Sequence, residues 1–149
     1  MKFSTRTRYG LKAVIDLAAA FGQGPLSLAV LAGNQGISEA YLEQLMRTLM
    51  REGIVKSVRG VNGGYLLAKE PEKLSALEVI SVLEGGAVVA SCVGAGSSSC
   101  GNEGSCSARP LFLKLQSRID EVLKKTTIFE LAEDYNEHQR RKDNETSIS

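Results

Sequence analysis

Apolar residues recur at spacings of three and four along the first third of the chain, and this rhythm predicts three helices in succession. The first runs from Ser4 to Ala20, with Ser4 or Thr5 as its cap, Tyr9, Ala13, Leu17 and Ala20 along one side, and Gly22 to Pro25 as its end. The second, Leu26 to Gly33, has Ser27 as its cap and Leu28, Leu31 and Ala32 on one face. After the turn NQGI, Ser38 caps a third, SEAYLEQLMRTLMREG. Tyr41, Leu42, Leu45, Leu49 and the methylenes of Arg47 keep its period until Gly53 stops it.

The period then changes to two. Ile54, Val55 and Val58 make one strand and Tyr65, Leu66 and Leu67 another, while the RGVNGG between them supplies the positive φ angles of a tight hairpin. Ser75 caps a short helix from Ala76 to Glu84, with Leu77, Ile80, Val82 and Leu83 on its buried side. Pro110 opens a long helix carrying Leu111, Phe112, Leu115, Ile119, Val122 and Leu123 as an apolar stripe. A final short helix covers about Ile128 to Tyr135. Residues 136–149, nearly free of apolar side chains, read as a mobile tail. There is no internal repeat.

The chain of 149 residues, 43% hydrophobic and 23% charged, is the size and composition of one globular domain or a small domain with an appended element. Its start, MKFSTRTRYGLKAVIDLAAAF, has the basic-then-apolar order of a signal peptide. Arg6, Arg8, Lys12 and Asp16 interrupt it, however, and an amphipathic helix is the better reading. With no segment near the roughly 20 apolar residues that span a bilayer, no membrane partner and a cytoplasmic location are expected. The net charge of +1 conceals a division: Met1 to Ser75 holds ten Lys and Arg against six Asp and Glu, whereas Ala76 to Ser149 holds eight against eleven. The basic half is the candidate for meeting phosphate.

Three helices followed by a Gly-rich basic hairpin form a winged helix-turn-helix, here 1–75, with the helix-turn-helix at about 26–52 and the wing at 54–68. The fold class is therefore mainly α, and the expected partner is a double-stranded DNA operator. The helix after the turn fits the major groove, and its polar positions divide by chemistry. Ser38 and Tyr41 offer hydroxyls to phosphate or base edges, Arg47 suits phosphate, Gln44 suits adenine, and Glu43 suits the cytosine amino group while repelling wrong bases. The wing offers Lys56, Ser57, Arg59 and Asn62, with the arginine suited to a narrow minor groove. Each of these side chains is equally the kind found on an ordinary solvated face, and the combination carries the inference. No phosphate-binding glycine motif or catalytic triad appears, so no enzymatic activity is expected.

All three cysteines, Cys92, Cys100 and Cys106, lie in SCVGAGSSSCGNEGSC, Ser91 to Cys106. Reduced cytosolic thiols in odd number do not form a disulfide framework. Their separations of seven and five residues lack the Cys-x-x-Cys pairs usual in zinc sites. A glycine-rich loop of this kind suits an iron–sulfur cluster, with redox-active or incidental thiols as the alternatives.

The stretches TRTRYGLKAVIDLA and QGISEAYLEQLMRTLMREGIVKSVRGVNGGYLLAK, with a three-cysteine loop ahead of a long helix, resemble the IscR-type iron–sulfur cluster regulators over nearly everything but the tail. The resemblance implies a homodimer in which the long helix packs against its partner, within a 76–135 region of cluster loop (90–108) and dimerisation helices. It implies a [2Fe-2S] cluster on Cys92, Cys100 and Cys106, with the iron–sulfur assembly machinery as cluster donor and cluster assembly genes as targets. It also implies sequence discrimination by Glu43 and a DNA contact by Arg59. Two departures stand out. The histidine that serves as fourth ligand in that type is replaced by Arg109, which cannot ligate, and the first interval between cysteines is longer than usual. The lone histidine, His138, lies in the tail, where such a residue is more often no ligand; Glu103, Asn102, a serine hydroxyl or a group from the partner's first helix remain as alternatives, so the fourth ligand is unknown. Rival readings are a same-fold regulator sensing nitric oxide or cysteine status, or an iron–sulfur or zinc interaction protein that does not bind DNA. Relatives that sense cysteine status through a partner enzyme usually lack the cysteine cluster.

Overall fold

The computed structural model describes residues 2–86, 88–90, 92–93, 101 and 104–148. Among these, six helices and one hairpin follow in the order α1 (Thr5–Ala19), α2 (Leu28–Gln35), α3 (Glu39–Arg51), β1 (Val55–Val58), β2 (Gly64–Leu67), α4 (Ala76–Glu84), α5 (Arg109–Lys125) and α6 (Ile128–Ile148), with a 3-10 turn at Pro71–Lys73.

Serine caps begin four of the helices. Ser4, Ser27 and Ser38 each accept from the backbone N–H three residues on, at 3.1 to 3.2 Å, and Ser75 and Glu78 satisfy each other's backbone in a capping box. The second helix starts two residues later than its periodicity suggests, because Leu26 is extended and exchanges both backbone hydrogen bonds with Tyr65 of β2, at 3.1 and 2.8 Å. The hairpin pairs Val55 with Leu67 and Val58 with Gly64 in antiparallel register.

The core is assembled from Ala13, Val14 and Leu17 of α1, Leu31 of α2, Leu42, Leu45, Met46 and Leu49 of α3, Val79 and Leu83 of α4, and Ile128 and Ala132 of α6. At 5% exposure or less each, these side chains hold α3 by its apolar stripe and turn its other side outward.

One further element departs from the sequence reading. Residues 136–149 were expected to be a mobile tail after a helix ending at Tyr135, but α6 continues to Ile148. Once Ile128 and Ala132 anchor its first turns, further turns add one hydrogen bond per residue, and an i,i+4 pair of Glu137 with Arg141 at 3.9 Å accompanies the extension. The apolar stripe of α5 is largely uncovered. Gln116 is its one buried side chain, while Leu111, Leu113, Leu115 and Val122 are 41 to 62% exposed.

Candidate nucleic-acid interface and cysteine loop

Gly36, in left-handed conformation with φ 66°, ends α2, and α3 begins three residues later behind its cap Ser38. The outer side of α3 carries Gln44 and Arg47, both exposed, and Glu43, half-buried, with Ser38 exposed at its start. Glu43 and Arg47 meet one another at 3.1 Å, one helical turn apart, which presents the carboxylate partly neutralised. Tyr41 is placed differently from the rest. Its ring stands edge-on to that of Tyr9, centroids 6.3 Å apart, so it braces α3 against α1.

Ser57, Arg59 and Asn62 are all exposed on the hairpin, Ser57 in β1 and the other two in its connection. The wing and α3 meet electrostatically at Tyr65, which the strand pattern places in the hairpin without marking it as a link to α3. Tyr65 is raised above its ordinary phenol range by burial first and by the negative charge of Glu43 second. Val61, fully exposed at the hairpin tip, lies within the RGVNGG connection, which the sequence marks by its turn residues.

A second junction binds α1 to α4 just ahead of the cysteine region. Glu84 accepts from the backbone N–H of Ser4 at 3.1 Å, from the Ser4 hydroxyl at 2.8 Å and from the Thr7 hydroxyl. Beside it Gly10 faces Leu83 so closely that an added Cβ would lie 2.6 Å from Leu83 Cδ1. The hydroxyl of Thr7, then that of Ser4, holds the Glu84 carboxyl below its ordinary 4.5. A lowered folded-state value contributes stability that is complete above the ordinary value and is lost as pH falls through the folded one. Acid titration of unfolding should therefore give a steeper loss for wild type than for Glu84→Gln below about pH 4.5. Parallel curves would show that the carboxylate makes no such contribution.

Cys92 and Cys106 are unpaired, half-buried thiols, and Cys100 lies outside the described residues, as do Asn102 and Glu103. On the entry side, the backbone N–H of Val89 donates to Gln116 of α5 at 2.8 Å, and Gln116 donates to Asp120 at 2.9 Å. On the exit side the backbone N–H of Arg109 donates to the carbonyl of Cys106 at 3.3 Å, and Arg109 Nε is buried without a partner among the described residues. A guanidinium there supplies charge and a donor but no lone pair for a metal. Among the described residues no three His, Cys, Asp or Glu side chains come together to hold a metal. His138 sits exposed on α6, with Nδ1 2.8 Å from the carbonyl of Asp134.

Residues 3–134 match the Rrf2 family, described as an iron-dependent transcriptional regulator. The chain belongs to the Rrf2 family. This Rrf2 chain is 39% identical over 132 residues to the HTH-type transcriptional regulator CymR of Bacillus subtilis, covering 89% of this chain and 90% of that one. The solved structure of that protein, called the global cysteine regulator of B. subtilis, superposes with a TM-score of 0.77 at 38% identity, covering 89% of this chain and 97% of that one. The HTH-type transcriptional regulator IscR of Escherichia coli is 37% identical over 131 residues, covering 88% and 80% of the two chains. A solved structure of T. potens IscR matches with a TM-score of 0.75 at 39% identity, covering 93% and 91%. The Rrf2 protein is thus a transcriptional regulator with a DNA-binding winged helix, and its named relatives are regulators rather than enzymes. No helix among its described residues is long and apolar enough to cross a membrane.

Proposed function

We propose that the protein is a cytoplasmic, dimeric, operator-binding regulator that senses iron–sulfur cluster status through a [2Fe-2S] cluster held by Cys92, Cys100 and Cys106, and that it controls cluster assembly genes. The observation that carries this reading is the confinement of all three thiols to one span between α4 and α5, with Cys92 and Cys106 unpaired in an Rrf2 chain. Three thiolates are the donor chemistry that iron–sulfur clusters take, and the assembly machinery is the donor of the cluster. A bound cluster supplies iron–thiolate bonds that tie the two ends of a small-residue stretch together. The chain's own residues do the rest. Gln116 holds the entry of that stretch to α5, and the Glu84 junction holds the end of α4 to the start of α1. The uncovered stripe of α5 packs against the same helix of a second copy, since an apolar helix side of this length needs a cover. Occupancy of the cysteines thereby biases how two winged domains sit, by as much as the differential affinity of the two states allows.

On the DNA side, Ser38, Gln44 and Arg47 face the major groove, Tyr41 contributes at its edge, and Ser57, Arg59 and Asn62 meet the flanking backbone or minor groove. Glu43 discriminates among bases once Arg47 turns to phosphate. Arg59→Ala should weaken operator binding about tenfold at fixed salt and flatten its salt dependence, whereas Glu43→Ala should relax discrimination between operator variants with smaller loss of affinity. Fluorescence anisotropy over a salt series reads both, and unchanged affinity and slope in Arg59→Ala would remove the wing from the interface.

Similarity to a global cysteine regulator favours a second reading, in which cysteine status is sensed and no cluster is bound. Anaerobic purification followed by an absorption spectrum and iron and sulfide assays separates the two. About two iron and two sulfide per chain support the cluster. Zinc alone, or protein that takes up no iron and sulfide on anaerobic reconstitution yet binds its operator, overturns it.

A further inference from the structure

A cleft of about 350 Å³ opens where α1, the end of α2 and α6 meet, on residues that neither the interface nor the cysteine region uses. Asp16 lines its floor and is 7% exposed. Its carboxylate accepts from Gln35 Nε2 at 2.7 Å, and the nearby amide of Asn34 also favours its charged form. These donors are neutral. Among the described residues the cation acting on Asp16 is Lys12, whose Nζ lies 5.6 Å from the centroid of the Tyr9 ring. Burial outweighs the amides and raises the carboxyl above its ordinary 3.8, the mark of a buried negative charge short of compensation. Ile15 and Leu131 give the cleft an apolar wall, and Tyr135 and Gln139 of α6 border it.

We propose that this cleft is an effector site for a small aliphatic primary amine, whose ammonium pairs with Asp16 and whose hydrocarbon body lies on Ile15 and Leu131. An anion is repelled by the same carboxylate, and a purely apolar molecule leaves it unpaired. Gln35 is the last residue of α2, directly before Gly36 and the turn into α3. An ammonium that takes the carboxylate from Gln35 releases the end of α2 and alters the seating of α3, which couples the cleft to the operator. Free monoamines and amino acids share the ammonium, and Lys12 at the border is the group that would receive an amino acid's carboxylate.

The test is calorimetric titration of the full chain without DNA or metal, using n-butylamine, L-leucine and butyrate as probes, on wild type, Asp16→Asn and Gln139→Trp. Asp16→Asn keeps the shape and hydrogen-bonding reach of the side chain, while Gln139 is exposed, so its replacement blocks the cleft without touching the core. At least one amine should bind wild type in about the millimolar range or tighter and at least tenfold more weakly in both variants, with butyrate silent. Tighter leucine assigns an amino acid, and tighter butylamine a monoamine. Amines that bind no better than butyrate, or equally well to either variant whose circular dichroism matches wild type, overturn the proposal.

Discussion

Gly64→Ala is expected to lower the free energy of unfolding by about 3 kcal/mol or more and to abolish operator binding at the temperature where wild type is saturated. Gly64 has φ 155°, a backbone conformation that L side chains rarely adopt, and a Cβ built there would lie 2.2 Å from the carbonyl oxygen of Leu26. That oxygen accepts from the Tyr65 N–H at 2.8 Å, so the backbone cannot move aside without breaking the bridge between the wing and the chain ahead of α2. Gly24 is the natural comparison, with φ 97° and nothing within 4 Å of an added Cβ. Gly24→Ala should lose only the conformational part, about 1 to 2 kcal/mol. Urea unfolding of both variants reads the difference, and similar midpoints would mean that the close approach to Leu26 carries no energy.

Cys92→Ser is expected to strip the chain of bound iron and sulfide while leaving the metal-free protein within about 0.5 kcal/mol of wild type. The thiol is half-buried and outside any disulfide, and neither it nor Cys106 belongs to the packed core, so serine leaves no large cavity. A hard hydroxyl is a poor substitute for thiolate toward iron. Iron content falls and stability does not, a combination that a purely structural cysteine would reverse. Full iron occupancy in Cys92→Ser would remove this residue from the ligand set.

Much of this architecture was legible in local chemistry. Ser4, Ser27, Ser38 and Ser75 announced their helices, because a side-chain oxygen facing an orphan N–H is a signal confined to a few residues. The switch in period after Gly53 announced the wing for the same reason. What escaped depends on partners distant in sequence. The pairing of Leu26 with Tyr65, the Glu84 junction with Ser4 and Thr7 across 80 and 77 residues, and the meeting of Asp16 with Gln35 leave no periodic trace. The extension of α6 escaped for a different reason. A solvated helix has no apolar stripe to read, and its continuation rests on the anchored turns before it. At the candidate interface, residue types on α3 were legible, but the pairing of Glu43 with Arg47 and the brace of Tyr41 on Tyr9 required side-chain directions. Arg109 was visible as a departure from the resembling family, whereas the burial of its Nε was not.

The central claim is that occupancy of the cysteines changes how the winged domains engage DNA. Operator affinity measured anaerobically at one fixed salt concentration, for cluster-loaded and metal-free protein on the same set of candidate promoters, tests it most directly. The account predicts at least one promoter on which the two forms differ by tenfold or more, a coupling of about 1.4 kcal/mol, with the difference vanishing in Cys92→Ser. Equal affinity of the two forms on every promoter would contradict it.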